Sequence, residues 1–368
     1  MKTSLRLISA LLAVLMLSGA FAGCAGKTEK TDGKVTVTDH AGNVVEVPAE
    51  INRIVVCDIY PLVSVLAVFF DSAEKIVGMA PPSMTAAKNS LLSELYPEIL
   101  DAKTDFIDGT TVNIEELMKL EPDVVFYGST PQIGEQLKNA GIPGISVAAG
   151  KWDYDAIETL NNWIRLLSEI FPANKDRAEK VKTYSADVYQ RVQDRVAALD
   201  TAEKVFFLFQ YNETTITTSG RHFFGQWWAD AVGAYNVGSE METDNSTAVT
   251  MEQIYAWNPQ KILITNFNPA KPADLINNTV GNYDWSEVDA VKNGKVYKMP
   301  LGMYRSYTCG VDTPVTLLWM AKTVYPELFA DIDITAETRA YYREVFGIEL
   351  TDEQANRIFD PSSAASAF

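Results

Sequence analysis

From residue 154 to residue 199 nearly every position suits a helix, and on both sides of that stretch short apolar strands alternate with helices. Apolar residues recur at Ile157, Leu160, Ile164, Leu167 and Ile170, then at Val181, Tyr184, Val188, Val192 and Val196. That spacing gives a helix one buried stripe, and Pro172 between the two runs marks a kink or joint. Upstream, strands are expected at 53–57, 76–78, 123–127 and 144–148, with helices at 62–70, 113–120 and 132–139. Downstream, strands at 205–210, 261–265 and 296–299 accompany helices at 224–232, 251–257 and 313–324, and 335–359 is helical again. Short strands separated by helices imply mainly parallel sheets covered on both faces. The expected fold class is α/β: two Rossmann-like lobes with mainly parallel sheets, joined by one long rigid helix, with a ligand cleft between them. The lobes fall at 35–150 and 200–350, the connector at 151–199 and a C-terminal tail at 351–368. In the first lobe, Val35-Thr36-Val37-Thr38 and Val44-Val45-Glu46-Val47 flank a Gly42-Asn43 turn and read as a hairpin.

The chain opens with Lys2 and Arg6 ahead of an apolar run at 7–17, and small residues follow up to Cys24. This is the pattern of a signal peptide over 1–23, too short and too asymmetric for a stable span. Two cleavage readings fit. Ala20-Phe21-Ala22 suits ordinary signal peptidase, whereas Phe21-Ala22-Gly23-Cys24 resembles a bacterial lipobox, in which Cys24 is acylated and becomes the new N-terminus. Phe21 stands where such boxes usually carry leucine. Polar residues at 25–34 read as a tether, so the expectation is lipidation at Cys24, a tether over 24–34 and an exported protein held at the membrane. The formal charge is −17, and −19 once Lys2 and Arg6 leave with the leader. So acidic a chain, with no basic run, is repelled by nucleic acid. Cys57 and Cys309 are expected as buried free thiols; a disulfide is the alternative that export allows.

Several pieces, in order, resemble the periplasmic-binding family that serves iron-siderophore, haem and cobalamin ABC importers, the class with a single long helix between its lobes. They include Val35-Thr36-Val37-Thr38-Asp39 with Gly42 and Pro48, then Arg53-Ile54-Val55-Val56. Asn113-Ile114-Glu115-Glu116-Leu117 runs into Leu120-Glu121-Pro122-Asp123-Val124-Val125, and Met251-Glu252-Gln253-Ile254 precedes Trp257-Asn258-Pro259 and Lys261-Ile262-Leu263-Ile264. Trp285 leads to Ala290-Val291-Lys292-Asn293-Gly294-Lys295-Val296-Tyr297. The likeness covers about 35–348. It implies a monomeric receptor with no cofactor of its own, working with an ABC permease dimer and its cytoplasmic ATPase, and attached to the membrane only through its lipid anchor. It also implies one acidic docking contact per lobe, at Glu115 and Glu252. Each opens a helix, where the dipole and capping favour a glutamate in any case.

Ligands of such folds lie against loops at the carboxyl ends of strands. Those loops carry Asp58-Ile59-Tyr60, residues 79–84, Tyr127-Gly128-Ser129-Thr130, Gly150-Lys151-Trp152-Asp153-Tyr154, Arg221-His222-Phe223-Phe224, Asn266-Phe267-Asn268 and Met303-Tyr304-Arg305-Ser306-Tyr307. Tyr60, Tyr127, Trp152 and Tyr304 offer apolar walls with polar tips, and Arg221 and Arg305 offer paired hydrogen bonds to an anion. Each arginine also reads as half of a surface ion pair, and Trp152 and Tyr304 as lobe packing. His222 reads either as a ligand contact that could complete an iron complex or as a solvent-edge histidine. With only His40 and His222 in the chain, no direct metal site is expected.

The expected function is capture of a chelated metal, a ferric siderophore first, for delivery to a permease. Haem, cobalamin and an oxyanion such as molybdate are the alternatives. Other classes are an exported enzyme, disfavoured because no G-x-S-x-G, H-E-x-x-H or Walker A pattern occurs, and a sensor or scaffold lipoprotein. A single stiff connector implies only modest lobe closure.

Overall fold

A computed structural model describes residues 30, 31 and 33–361. The expected signal peptide, Cys24, the first part of the tether and the Ser/Ala end at 362–368 lie outside the described residues. The end of the tether is part of a sheet: Lys30–Thr31 pairs antiparallel with Lys34–Thr38.

The first lobe holds a parallel sheet in the order Ile76–Met79, Ile54–Val56, Val124–Tyr127, Gly144–Ser146. Its central strands are apolar on both faces because both are covered. Ile54, Val56 and Phe126 face a core shared with helix Leu62–Phe70, whereas Val55 and Val125 face Leu117, Ile133 and Leu137 from two other helices. The hairpin pairs Val35 with Val47 and Val37 with Val45. Its turn is clasped to the last strand: Ser146 N–H donates to the Asp39 carboxylate at 3.0 Å, and Ala148 N–H donates to His40 Nδ1 at 3.2 Å.

The second lobe is also mainly parallel, with one reversed edge. Lys204–Tyr211, Lys261–Ile264 and Val296–Lys298 run parallel, but Ile216–Ser219 and Ser246–Ala248 join the other edge antiparallel. A tight turn causes the reversal, its Asn212 side chain accepting from the N–H groups of Thr214 and Thr215.

The connecting stretch is two helices, not one. Ala156–Ile170 ends at Phe171, a 3₁₀ turn spans Pro172–Asn174, and Asp176–Val196 follows. Pro172 lacks the N–H that a continuing helix requires. The joint is tied to the first lobe, where Asn174 Nδ2 and Arg177 Nη1 donate to the carbonyls of Phe69 and Val68 at 2.8 and 2.7 Å. The second helix is tied to the C-terminal region through Arg191–Glu337 and Arg195–Asp331, 2.7 and 2.6 Å apart. The predicted tail is also structured: Thr351 and Gln354 form a capping box for helix Asp352–Phe359, Ile358 is fully buried, and Gln354 and Arg357 reach Glu94 of the first lobe. One apolar core runs through both lobes and the connector, including Phe69, Trp163, Val188, Trp228 and Met303. Cys57 and Cys309 are buried free thiols, as expected.

Burial, with Arg165 and Lys151 nearby, pushes the His40 imidazole down from 6.5 to about 4. An unfolded chain therefore binds a proton at this position that the folded one refuses. Stability from His40 is complete above about pH 6.5 and is lost as the pH falls towards 4, by up to about 3 kcal/mol. Urea denaturation across pH 4–7 should show this slope, and His40→Gln should flatten it.

Candidate functional site

Residues from both lobes converge on a buried cation. Arg305 is 1% exposed, and its guanidinium lies over the rings of Phe267 and Tyr304, 5.0 and 5.6 Å from their centres. Such stacking in a dry site is worth on the order of 1–2 kcal/mol. Burial pushes the Tyr304 hydroxyl up to about 12, against the opposing pull of Arg305. Tyr60, from the first lobe, is close enough to Tyr304 to interact with it electrostatically, and burial raises its hydroxyl too. Both phenols therefore stay protonated and able to donate. The aromatic wall continues through Phe267, stacked on Phe209 at 5.1 Å, to Phe223 and Tyr307.

Buried polar groups hold this arrangement from behind. The Asp312 carboxylate accepts Met303 N–H at 2.8 Å and the Tyr342 hydroxyl, and the Tyr304 N–H also points at it. Burial raises its pKa to about 6. The carboxylate sits so close beneath Gly302 that a Cβ there would stand 2.2 Å from Asp312 Oδ1. On the other side, Lys298 ends its strand with the ammonium donating to the carbonyls of Thr265, Asn268 and Ala270 at 3.0, 2.6 and 2.9 Å. Desolvation lowers its pKa to about 7. Asn266 Nδ2 donates to Met299 and Pro300 carbonyls at 2.9 and 2.7 Å. Lys298 and Asn266 thus fix the loop that carries Phe267. Sequence reasoning passed over Lys298 and Asp312, although a lone cation closing an apolar strand was a visible signal.

A second pocket, of about 670 Å³, gathers Trp152, Arg221 and His222 with Tyr154, Phe223 and Trp227. Here Arg221 is the surface ion pair: its Nε lies 3.1 Å from Glu242 and also donates to the Ser239 carbonyl. His222 Nε2 is 3.6 Å from the same carboxylate. Trp152 packs edge-on against His40 at 4.9 Å. Tyr154 spans the lobes, its ring 5.3 Å from Phe223 and 4.9 Å from Phe224. Asp153 and Tyr154 both hold left-handed backbone, φ 50° and 58°, which costs non-glycine residues on the order of 1 kcal/mol each. On another side the lobes meet where Leu91 N–H donates to Gly302 O at 3.2 Å and Ser90 Oγ to Met303 O at 3.3 Å.

The predicted site residues therefore separate. Tyr60, Tyr304 and Arg305 stand together, and Trp152, Arg221 and His222 stand together in the neighbouring pocket. Tyr127 joins neither; its ring packs on Gly134 in the outward core of the first lobe. Residues 79–84, expected as a loop, largely enter helix Pro81–Lys88. Glu115 and Glu252 are exposed in the first turns of their helices. Among the described residues no group of three or more His, Cys, Asp or Glu side chains is placed to hold a metal.

The sequence profile of the family described as periplasmic binding protein matches residues 68–301. The chain belongs to that family. The molybdate-binding protein MolA of Haemophilus influenzae is 28% identical over 96% of this chain and 100% of its own. Among solved structures, a periplasmic solute binding protein from Veillonella parvula is 30% identical, with TM-score 0.79 over 88% of this chain and 96% of that one. Helicobacter pylori CeuE, in a nickel–histidine complex, shares the fold at 22% identity and TM-score 0.68, over 89% and 99% of the two chains. This periplasmic binding protein is the extracytoplasmic, ligand-capturing component of an ABC transporter.

For the binding protein, Lys298→Met leaves three buried carbonyls without their donor. It should lower unfolding free energy by about 3 kcal/mol, read from denaturant midpoints. Gly302→Ala should destabilise by at least about 2 kcal/mol through overlap with Asp312.

Proposed function

We propose that the protein captures a small oxyanion of the molybdate class at Arg305 and hands it to its permease. The observation that carries this is the buried guanidinium laid on Phe267 and Tyr304 at the meeting of the lobes. A guanidinium presents paired N–H groups that match two oxygens of a tetrahedral anion. The Tyr60 and Tyr304 hydroxyls, kept protonated by burial, add donors and no negative charge. The full-length likeness to MolA supports the same reading. Specificity against larger anions then follows from the close packing of Tyr304 and Arg305, each at most 4% exposed.

A ferric siderophore is the second reading. It is favoured by the roomier pocket beside Trp152, Tyr154 and Phe223, whose rings would wall a bulky chelate. Haem and cobalamin rest on the same feature. In either case the protein acts as a monomeric receptor and not as an enzyme, with no cofactor of its own. Cys24 carries the lipid anchor after removal of the signal peptide, and Glu115 and Glu252 dock on the permease dimer, which its ATPase drives.

Calorimetric titration of the leaderless protein tests this with molybdate, tungstate, sulfate, ferric hydroxamate and catecholate siderophores, haemin, cobalamin and nickel–histidine. Molybdate or tungstate should bind saturably at one site. Arg305→Ala should weaken that binding about 10- to 100-fold, the range of a lost charged hydrogen-bond pair. Arg305→Lys should restore only part of it. Tight binding of an iron chelate with no response to oxyanions would replace this reading with the second.

A further inference from the structure

Two short segments, one in each lobe, repeat one design position by position. Asn113 caps helix Ile114–Lys119 and Thr250 caps helix Met251–Trp257. Counting from each cap, the second residue is a glutamate, Glu115 or Glu252, exposed in both lobes. The third is spent locally: Glu116 pairs with Lys119 at 2.6 Å, and Gln253 accepts from the Thr250 N–H at 2.9 Å. The fourth is a fully buried aliphatic anchor, Leu117 or Ile254. The fifth is a large side chain with exposed apolar surface, Met118 at 52% exposure and Tyr255 at 39%, the tyrosine hydroxyl donating to the Asp284 carbonyl. The eighth takes left-handed backbone, Glu121 at φ 45° and Asn258 at φ 43°, and the ninth is proline, Pro122 or Pro259. A central strand of the lobe's sheet follows each.

Among the described residues eight large apolar side chains are exposed, and Met118 and Tyr255 share one register on equivalent helices. Each lies three positions after its glutamate, so the acid and the apolar group lie on the same helix face. A singly exposed apolar side chain needs no explanation. A glutamate and an apolar group in the same places on both lobes call for one that applies to both lobes. Arg53 Nε donates to the Leu120 carbonyl and Lys204 Nζ to the Trp257 carbonyl, which ties the far end of each helix to the start of a sheet strand, so both glutamates stand towards the opposite, carboxyl end of their sheets.

We infer that Glu115 with Met118, and Glu252 with Tyr255, form two equivalent two-part anchors for the permease, each fitting a cationic side chain set beside an apolar recess. This rests on the reading of the two glutamates as docking contacts. A permease built from two like subunits offers two like sites related by a twofold axis, and a two-lobed partner meets them with two like modules. The parts have separate duties. The carboxylates steer the encounter and set its dependence on salt; the apolar groups exclude water at the contact and slow its release. Glu252 is suited to this, since its own N–H and the Thr250 hydroxyl hold its carboxyl below the usual carboxylate range.

The test measures association and dissociation of the full-length mature protein on nanodiscs carrying the importer's permease–ATPase complex, alongside calorimetry with molybdate. Met118→Ser and Tyr255→Ser should each raise the dissociation rate about fivefold or more, leaving the association rate and its salt dependence unchanged. Glu115→Gln and Glu252→Gln should slow association and flatten its salt dependence. All four side chains are exposed, so ligand affinity should match the parent protein; Tyr255→Phe, which loses only the hydroxyl's bond to the Asp284 carbonyl, separates that loss from loss of the ring and should dissociate at the parent rate. If the glutamine variants weaken docking and the serine variants do not, the two-part anchor is wrong and the acidic docking reading stands. If no variant alters docking, both fall.

Discussion

The cleft is built outward from a buried anion. Asp312 is almost wholly removed from water, and its carboxylate draws the N–H groups of Met303 and Tyr304 and the hydroxyl of Tyr342 onto one point. A carboxylate in such a place is tolerable only when its lone pairs are taken up by donors. Backbone donors turned inward leave the side chains of the same turn to project the other way. Tyr304 and Arg305 are thereby held beside Tyr60 and Phe267 where the lobes meet, and Gly302 is small because the carboxylate occupies the room a side chain would need. Lys298 reverses the signs on the facing loop: an ammonium gathers three carbonyls, and Phe267 is left to support the guanidinium. Neither group need touch a ligand to decide where Arg305 stands.

The charge of the whole chain makes that placement matter. At −17 the surface field repels anions, so an anionic cargo needs cationic character where solvent screening is weakest. A surface arginine does not supply it. Arg221 is half exposed and shares Glu242 with His222, so the local charge there is largely cancelled. Arg305 is enclosed by rings, where its field is less diluted.

Much of this architecture could be read from residues alone, for reasons that also explain what could not. The first lobe's strands are continuous apolar runs such as Ile54-Val55-Val56, which announce burial on both faces. The antiparallel edge strands of the second lobe were missed because Ile216–Ser219 and Ser246–Ala248 are rich in threonine and serine, the composition of a loop. Residues 79–84, expected as a loop because they follow a strand, include Pro81 and Pro82, and proline is at home in a helix's first turn. Arg221 and Arg305 looked alike because each follows a strand; what separates them is Glu242, a neighbour created by folding. Tyr127 stands apart from the other site candidates for a reason legible in its strand. It shares the parity of Val125, whose side faces away from the shared core, and alternation along a strand would have said so.

The break at Pro172 changes how the two lobes are coupled. The helix before it packs on the hairpin of the first lobe and touches Thr313–Val324 of the second, and the helix after it packs more fully on Thr313–Val324 and on Phe224–Ala231. Each half of the connector thus leans towards a different lobe, while Thr313–Val324 and Arg177 fasten the two halves across the seam between them. Side chains interlocked along such a seam permit small sliding displacements and resist bending, which is shear rather than hinge motion. A receptor jointed in this way would signal occupancy through the ordering of its cleft loops, while the spacing of its two outer faces stays nearly constant, as on a caliper with its screw tightened.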